Sequence, residues 1–239
     1  GGMFAVWNDH AGNGITVRDI HHRVMPALRT ISAKTWTGAA VSVPYAEFAR
    51  RGAALSEAPG VNLLGRLPGI VEGRATLHCP RPVLQPNAPV DWLGDAVGYD
   101  YTVSFELEAD SVRRGDVLFS SSDATVYLAS PKSGKLAFER EGYLNEFDYV
   151  VPAGRKVRLT FVGTNRETLL FVDGRFRQAL YPLTLGSAST DAGLAGASAD
   201  PYAASKMYYQ RTLVFPLART GNFVGRISDL SVSNYAEKY

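Results

Sequence analysis

Tyr101-Thr102-Val103-Ser104-Phe105-Glu106-Leu107 decides the fold. Apolar side chains fall on every second residue with Thr, Ser and Glu between them. That is the period of a strand with one face in a core and the other in water. Outward from this stretch, Val117-Leu118-Phe119, Thr125 to Leu128, Lys135 to Phe138, Val157 to Val162 and Thr168 to Val172 read as further short strands. Turn residues separate them at roughly the 8–12-residue spacing of an antiparallel sandwich. Asp173-Gly174, between Leu169-Leu170-Phe171-Val172 and Arg175-Phe176-Arg177, is the strongest hairpin signal, because a two-residue turn needs positive φ at both positions. Arg211 to Phe215 and Arg226 to Val232 close the sheet. The Gly/Ala/Ser-rich run 186–200 reads as a mobile surface loop.

The character changes upstream. Between Val61 and Pro89, Pro68, Pro80, Pro82, Pro86 and Pro89 suit edge strands and loops. Ser42 to Gly60 reads as a short helix, with Pro44 near its start and Pro59-Gly60 as its stop. Ahead of it, Met3 to Trp7 is a continuous apolar run, the form of a parallel strand covered on both faces. Asn8-Asp9-His10 and Gly12-Asn13-Gly14 make a polar loop. Thr16 and Asp19 have the spacing of a capping box. Val17, Ile20, Val24, Leu28, Ile31 and Thr35 then recur at helical intervals. Pro26 bends that helix or marks its first firm turn, and Gly38 ends it. The unit is one strand, loop and helix.

The 239 residues, 46% hydrophobic and 20% charged, describe a globular chain of one or two domains. A net charge of +2 with no run of like charges implies no nucleic-acid surface. No apolar run reaches the roughly 18 residues of a membrane span. The single cysteine, Cys79, excludes an intramolecular disulfide and a multi-cysteine metal site, and reads as a small buried hydrophobe. Gly1-Gly2-Met3-Phe4-Ala5-Val6-Trp7 carries no charged n-region and no cleavage site, so it is no signal peptide and reads as the middle of a longer polypeptide.

Gly1 to His10, with His21-His22-Arg23-Val24-Met25-Pro26-Ala27 and Lys34-Thr35-Trp36, resembles the end of the catalytic barrel of glycoside hydrolase family 20, the exo-acting β-N-acetylhexosaminidases. Ala5 to Asp9 is the specific part. The resemblance implies that Trp7 forms a wall of the pocket for a terminal N-acetylhexosamine. It also implies that Asp9 accepts hydrogen bonds from the far sugar hydroxyls and that His10 lines the rim. By spacing alone Trp7 reads as a barrel-core aromatic and Asp9 as a loop-capping carboxylate, and it is the surrounding resemblance that favours the pocket roles. His21 and His22 read as helix-surface or packing residues. The family hydrolyses by substrate assistance and needs an adjacent Asp-Glu pair. This sequence holds no Asp-Glu dipeptide, and a barrel takes about 250 residues, so the chain alone cannot perform the reaction.

Tyr101 to Phe105, Leu118-Phe119-Ser120-Ser121, Gly134 to Phe138, Gly142-Tyr143, Phe147-Asp148-Tyr149, Thr168 to Gly174 and Gly225 to Leu230 come in an order similar to laminin-G-like, concanavalin A-like jelly rolls. The tail from Ser42 on also resembles the appended region of Bacteroides-type secreted hexosaminidases. Tyr143, Phe147, Tyr149, Tyr202, Tyr208 and Tyr209 are candidate exposed aromatics for a sugar. Asp123, Asp148, Asp173 and Asp191 form no Asp-x-Asp-x-Asp loop, so no metal or cofactor is implied.

The expected fold is therefore mainly β, an antiparallel jelly-roll sandwich preceded by the last β/α unit of a TIM barrel and a short helix. Its domains are 1–41 (barrel strand and helix), 42–60 (helical linker) and 61–239 (sandwich). The resemblance implies the C-terminal portion of a secreted, periplasmic or cell-surface exo-β-N-acetylhexosaminidase. Its partners are then an N-acetylhexosamine-terminated glycan and an N-terminal barrel polypeptide that supplies the catalytic pair. The alternative is a non-catalytic carbohydrate-binding or structural β-sandwich module.

Overall fold

The computed structural model of the chain describes residues 3–6, 14–38, 42–55, 57–70, 72–184 and 208–237. Two helices come first, α1 (Val17–Thr37) and α2 (Tyr45–Ala54). Eight strands follow: β1 (Thr76–His78), β2 (Val83–Leu84), β3 (Ala96–Val97), β4 (Tyr101–Ser111), β5 (Val117–Ser120), β6 (Thr125–Tyr127), β7 (Ala137–Arg140) and β8 (Tyr143–Glu146). Eight more are β9 (Lys156–Gly163), β10 (Thr168–Val172), β11 (Arg175–Leu180), β12 (Leu183–Thr184), β13 (Tyr208–Tyr209), β14 (Phe215–Pro216), β15 (Arg219–Thr220) and β16 (Val224–Ser233).

Every pairing among the described residues is antiparallel. One sheet runs β1-β16-β4-β9-β10-β11 with β2 also on β16, and the other runs β15-β5-β6-β7-β8. β3–β14 and β12–β13 are two-stranded ribbons. The parity of Tyr101 to Leu107 builds the sandwich. Tyr101, Val103, Phe105 and Leu107 are wholly buried on the inner face of β4. Phe105 meets Phe119 of the opposite sheet edge-on, with ring centroids 5.2 Å apart. Phe215 lies between the sheets, 5.4 Å from Phe161 and 5.6 Å from Phe119. Burying each such ring stabilises the fold by roughly 1.5–3 kcal/mol relative to leaving it in water. Tyr101 crosses Gly163, its partner on β9, so closely that a Cβ there would overlap the ring.

The outer face of the same sheet is polar through its centre. Glu106 pairs with Lys156 (2.9 Å) and Arg158 (3.2 Å), and Arg226 with Glu108 (2.6 Å). Between β10 and β11, Asp173 (φ 50°) and Gly174 (φ 75°) make the two-residue turn that the sequence predicts.

Several sequence expectations are corrected. Met3–Val6 join no ladder among the described residues, and Met3 is 92% exposed. A buried parallel strand needs a hydrogen-bonded neighbour on each side; among the described residues Met3–Val6 have none, and a barrel β/α unit is not shown. α1 is capped by Thr16 and Asp19 and ended by left-handed Gly38 as predicted, and runs through Pro26. α2 stops at Ala54 rather than Gly60, because Leu55 turns extended. Of Arg211 to Phe215 only Phe215 is strand. The carbonyls of Arg211, Thr212 and Leu213 accept side-chain hydrogen bonds from Thr168, Arg140 and Tyr101 in place of a ladder. The 186–200 loop lies outside the described residues.

Candidate functional site

Two arrangements carry chemistry-bearing side chains, and they differ in kind. The first joins α1 to the sandwich. Parity along β7 turns Phe138 inward, Glu139 outward and Arg140 inward. Arg140 Nη2 donates to Asp19 Oδ2 (2.6 Å) and Thr16 Oγ1 (2.8 Å), and Nη1 donates to the Thr212 carbonyl (2.8 Å) and the Tyr99 hydroxyl (3.1 Å). Tyr99 in turn donates to Asp19 Oδ1 (2.7 Å), and Asp123 lies 3.3 Å from Nη2. Burial works against an ionised Asp19, yet the Arg140 charge and hydrogen bond, with the Thr16 N–H and Tyr99 O–H, hold its carboxyl below the usual range. Burial opposes the Arg140 charge too, and the Tyr99 and Asp19 partners more than offset it. Burial likewise pushes the Tyr99 hydroxyl up, so it stays protonated and donating. Both Asp19 oxygens and the Thr16 and Tyr99 hydroxyls are engaged within the cluster, and Arg140 Nε alone of its buried groups lacks a partner, so this network fastens α1 to the sandwich.

The second arrangement is a cleft of about 730 Å³ on the outer face of β9–β11, a size common for small-ligand sites. Val162, Leu169 and Phe171 form its floor. Phe176 stands edge-on to Phe171, with centroids 5.6 Å apart. Phe176 stays 60% exposed and Tyr181 58%. Thr164 and Glu167, from the β9–β10 turn, supply polar groups at one end, and Ala236 and Glu237 wall the side. That wall is the tail beyond β16. The Thr102 hydroxyl donates to the Tyr235 carbonyl (2.9 Å) and accepts from the Glu237 N–H (2.9 Å). The Arg74 guanidinium also sits 4.1 Å from the centre of the Tyr235 ring. Exposed flat rings beside carboxylates and a hydroxyl suit a polyol with one apolar face.

Trp7, Asp9 and His10 lie outside the described residues, as do Tyr202 and Asp191. Tyr208 and Tyr209 form β13, and their side chains are likewise outside. Phe147, expected at the surface, is wholly buried. The Arg140↔Tyr143 hairpin gives it the inward parity of Asn145, and its ring lies 5.9 Å from Phe161. Tyr143 and Tyr149 are half-buried, Tyr149 under the Arg177 guanidinium at 5.9 Å. His21 Nε2 lies 2.9 Å from the buried Glu57 carboxylate but is not aligned for a hydrogen bond. His22 packs edge-on to Tyr99. Both histidines serve the packing of α1, as expected. Cys79 is half-buried against the core. Asp123, Asp148 and Asp173 each pair with a cation: Arg140, Lys135 and Arg155. No group of three His, Cys, Asp or Glu among the described residues is placed to hold a metal.

The sequence reading missed Phe176 and Tyr181. A signal was present: a two-residue Asp173-Gly174 turn pairs Val172 with Arg175 and so sets Phe171 against Phe176. Leu169 and Phe171 share one parity of β10, where an outer face facing water alone would be polar.

The topology defines an antiparallel β-sandwich. No protein-family model matches the chain, that of the family 20 hydrolases included, and no curated protein matches. Solved structures with a similar arrangement include domain 4 of AbnA, a GH43 extracellular arabinanase from Geobacillus stearothermophilus, in complex with arabinotriose. It is 13% identical over 58% of this chain and 62% of that one, with a TM-score of 0.36. A heptameric SAP-like pentraxin from Limulus polyphemus is 10% identical over 65% and 70%, with a TM-score of 0.34. Sheep galectin-11, in complex with glycerol, is 12% identical over 58% and 92%, with a TM-score of 0.25. The chain thus spans less than two thirds of the arabinanase domain. Likeness at these scores carries no functional argument, which rests on the residues.

Proposed function

We propose that the chain is a carbohydrate-binding β-sandwich module that takes a glycan in the cleft of Phe171, Phe176 and Tyr181. One observation carries this reading: two rings remain more than half exposed on a sheet face whose centre is a lattice of ion pairs. Water penalises an exposed apolar ring, and a pyranose laid on it removes that surface while Glu167 and Thr164 meet its hydroxyls. The reading is of binding, carried by the rings, with the Glu167 and Glu237 carboxylates placed in the lining to accept from sugar hydroxyls. A glycan array probed with the full chain tests it: bound glycans that Phe176→Ala releases support the module, and silence across the array sinks it. No helix among the described residues is long and apolar enough to cross a membrane.

A second reading keeps the resemblance of Ala5 to Asp9, that the chain is the C-terminal portion of a secreted β-N-acetylhexosaminidase. It is favoured by the leader, where Met3, Phe4, Val6, Val17, Leu28 and Trp36 are all exposed, apolar surface without a partner here. An Asp-Glu pair on an N-terminal barrel polypeptide would then do the chemistry. Adding the chain to such a barrel should restore hydrolysis of an aryl N-acetyl-β-glucosaminide, and Trp7→Ala should abolish the gain. No gain from the wild-type chain rejects this reading.

A further inference from the structure

A second cleft, of about 350 Å³, shares no lining residue with the first and lies between α1, the end of α2 and the loops around Gly65 and Gly98. Two of its lining residues are arginines without a carboxylate in ion-pair reach among the described residues. Arg29 Nη2 (3.4 Å) and Arg66 Nη1 (2.6 Å) address one oxygen, the Leu55 carbonyl that ends α2. Both side chains are half-buried. Arg29 is held in place: its stem crosses α2 at Gly52, where a Cβ would come within 3.3 Å of Arg29 Cδ.

The nearby acids are otherwise engaged. Glu72 accepts from Arg50 at 2.7 and 2.9 Å. Glu57 accepts the N–H groups of Leu63 and Leu64. Asp100 lines the other end, near His22. Burial first, and then the like charge of Arg66, push the Arg29 guanidinium below its usual range; the Glu57 carboxylate pulls the other way without offsetting them, its oxygens being held by the Leu63 and Leu64 N–H groups. One cation suffices to cap a helix end. Two guanidiniums on one carbonyl leave most of their N–H donors unspent, beside the apolar side chains of Met25, Leu67 and Ile70.

We propose that Arg29 and Arg66 form an oxyanion site for a small organic acid, whose carboxylate or sulfate ester takes their free donors while its apolar body lies along Met25 and Ile70. Fork-shaped donors favour such planar or tetrahedral oxyanions over a halide. The site is independent of the glycan cleft and stands or falls separately.

Calorimetry on the full chain tests it with benzoate and phenyl sulfate as the two anionic probes and benzyl alcohol as the neutral one. Either anion should bind where the alcohol does not, the better one identifying the headgroup. Binding should weaken as sodium chloride is added. Arg29→Met and Arg66→Met should each weaken it roughly tenfold or more. Arg29→Lys keeps the charge but loses the fork, so weaker binding with an unchanged melting temperature supports the site even if a Met variant misfolds. Three results overturn it: no binding of either anion, equal binding of benzyl alcohol, or Met variants that bind as the wild type does. Wild-type silence together with Met variants of lowered melting temperature would assign the two arginines to helix capping alone.

Discussion

Arg140 Nη2 lies 2.6 Å from Asp19 Oδ2 across 121 residues of sequence, with the two side chains 1% and 5% exposed. The pair ties the first turn of α1 to the strand end of the five-stranded sheet. Tyr99, two residues before β4, bridges the same two groups. A buried ion pair gains little over well-packed apolar side chains, but removing one partner strands the other charge in low dielectric.

Asp19→Asn should therefore cost about 3–5 kcal/mol, read as a lowered midpoint in denaturant. Asp19→Leu with Arg140→Met should recover part of the loss, because neither charge is then left alone. A variant Asp19→Asn that melts like the wild type would mean that α1 is not fastened through this pair.

The same pair makes stability fall in acid. The folded-state pKa of Asp19 is lowered from an ordinary 3.8, so its contribution is fully present above that value. It is lost as pH falls below 3.8 and through the folded-state pKa. Denaturant midpoints taken down this limb should fall more steeply for the wild type than for Asp19→Asn, and the two curves should converge at the acid end.

At the proposed glycan cleft, Phe176→Ala and Tyr181→Ala should each weaken binding of an array-selected glycan roughly tenfold. Both rings are more than half exposed, so stability should change by no more than about 1 kcal/mol, chiefly through the contact of Phe176 with Phe171. Titration calorimetry beside thermal melts separates the two effects. Unchanged affinity in both variants would remove the cleft from the glycan site.

Gly163→Ala should destabilise the sandwich by about 1–3 kcal/mol, since its Cβ would overlap the Tyr101 ring, whose hydroxyl is fixed to the Leu213 carbonyl at 2.8 Å. A Tyr101→Leu background should reduce that penalty, because it empties the space the new methyl needs. Equal penalties in both backgrounds would place the strain elsewhere.

The periodic features were readable from the sequence for a physical reason: one-sided burial stamps a period of two on a strand. Tyr101 to Leu107 therefore announced β4 and its inner face, and Asp173-Gly174 announced its hairpin. Thr16-Asp19 and Gly38 marked the ends of α1, because caps satisfy backbone groups locally. Arg140 was not readable, since a cation on an inward parity is tolerable only with an acid supplied 121 residues away. Phe147 misled because composition cannot distinguish an aromatic for a core from one for a ligand. The turn of Glu141 and Gly142 was needed to set its parity. Phe176 was hidden by the opposite fault, since an edge strand flanked by arginines reads as solvated.

Beyond Ser233 the tail leaves its ladder, and the Thr102 hydroxyl latches it at two backbone points. The wall of the proposed cleft is therefore held from beneath by this hydroxyl together with Asn234, which bonds Ala75 and Gly73. Replacing that oxygen with a methyl, as in Thr102→Val, would unlatch the lip while sparing the rings. Should the cleft take a glycan as proposed, its tolerance for branched or bulky sugars would then depend on a buried residue outside the cleft lining.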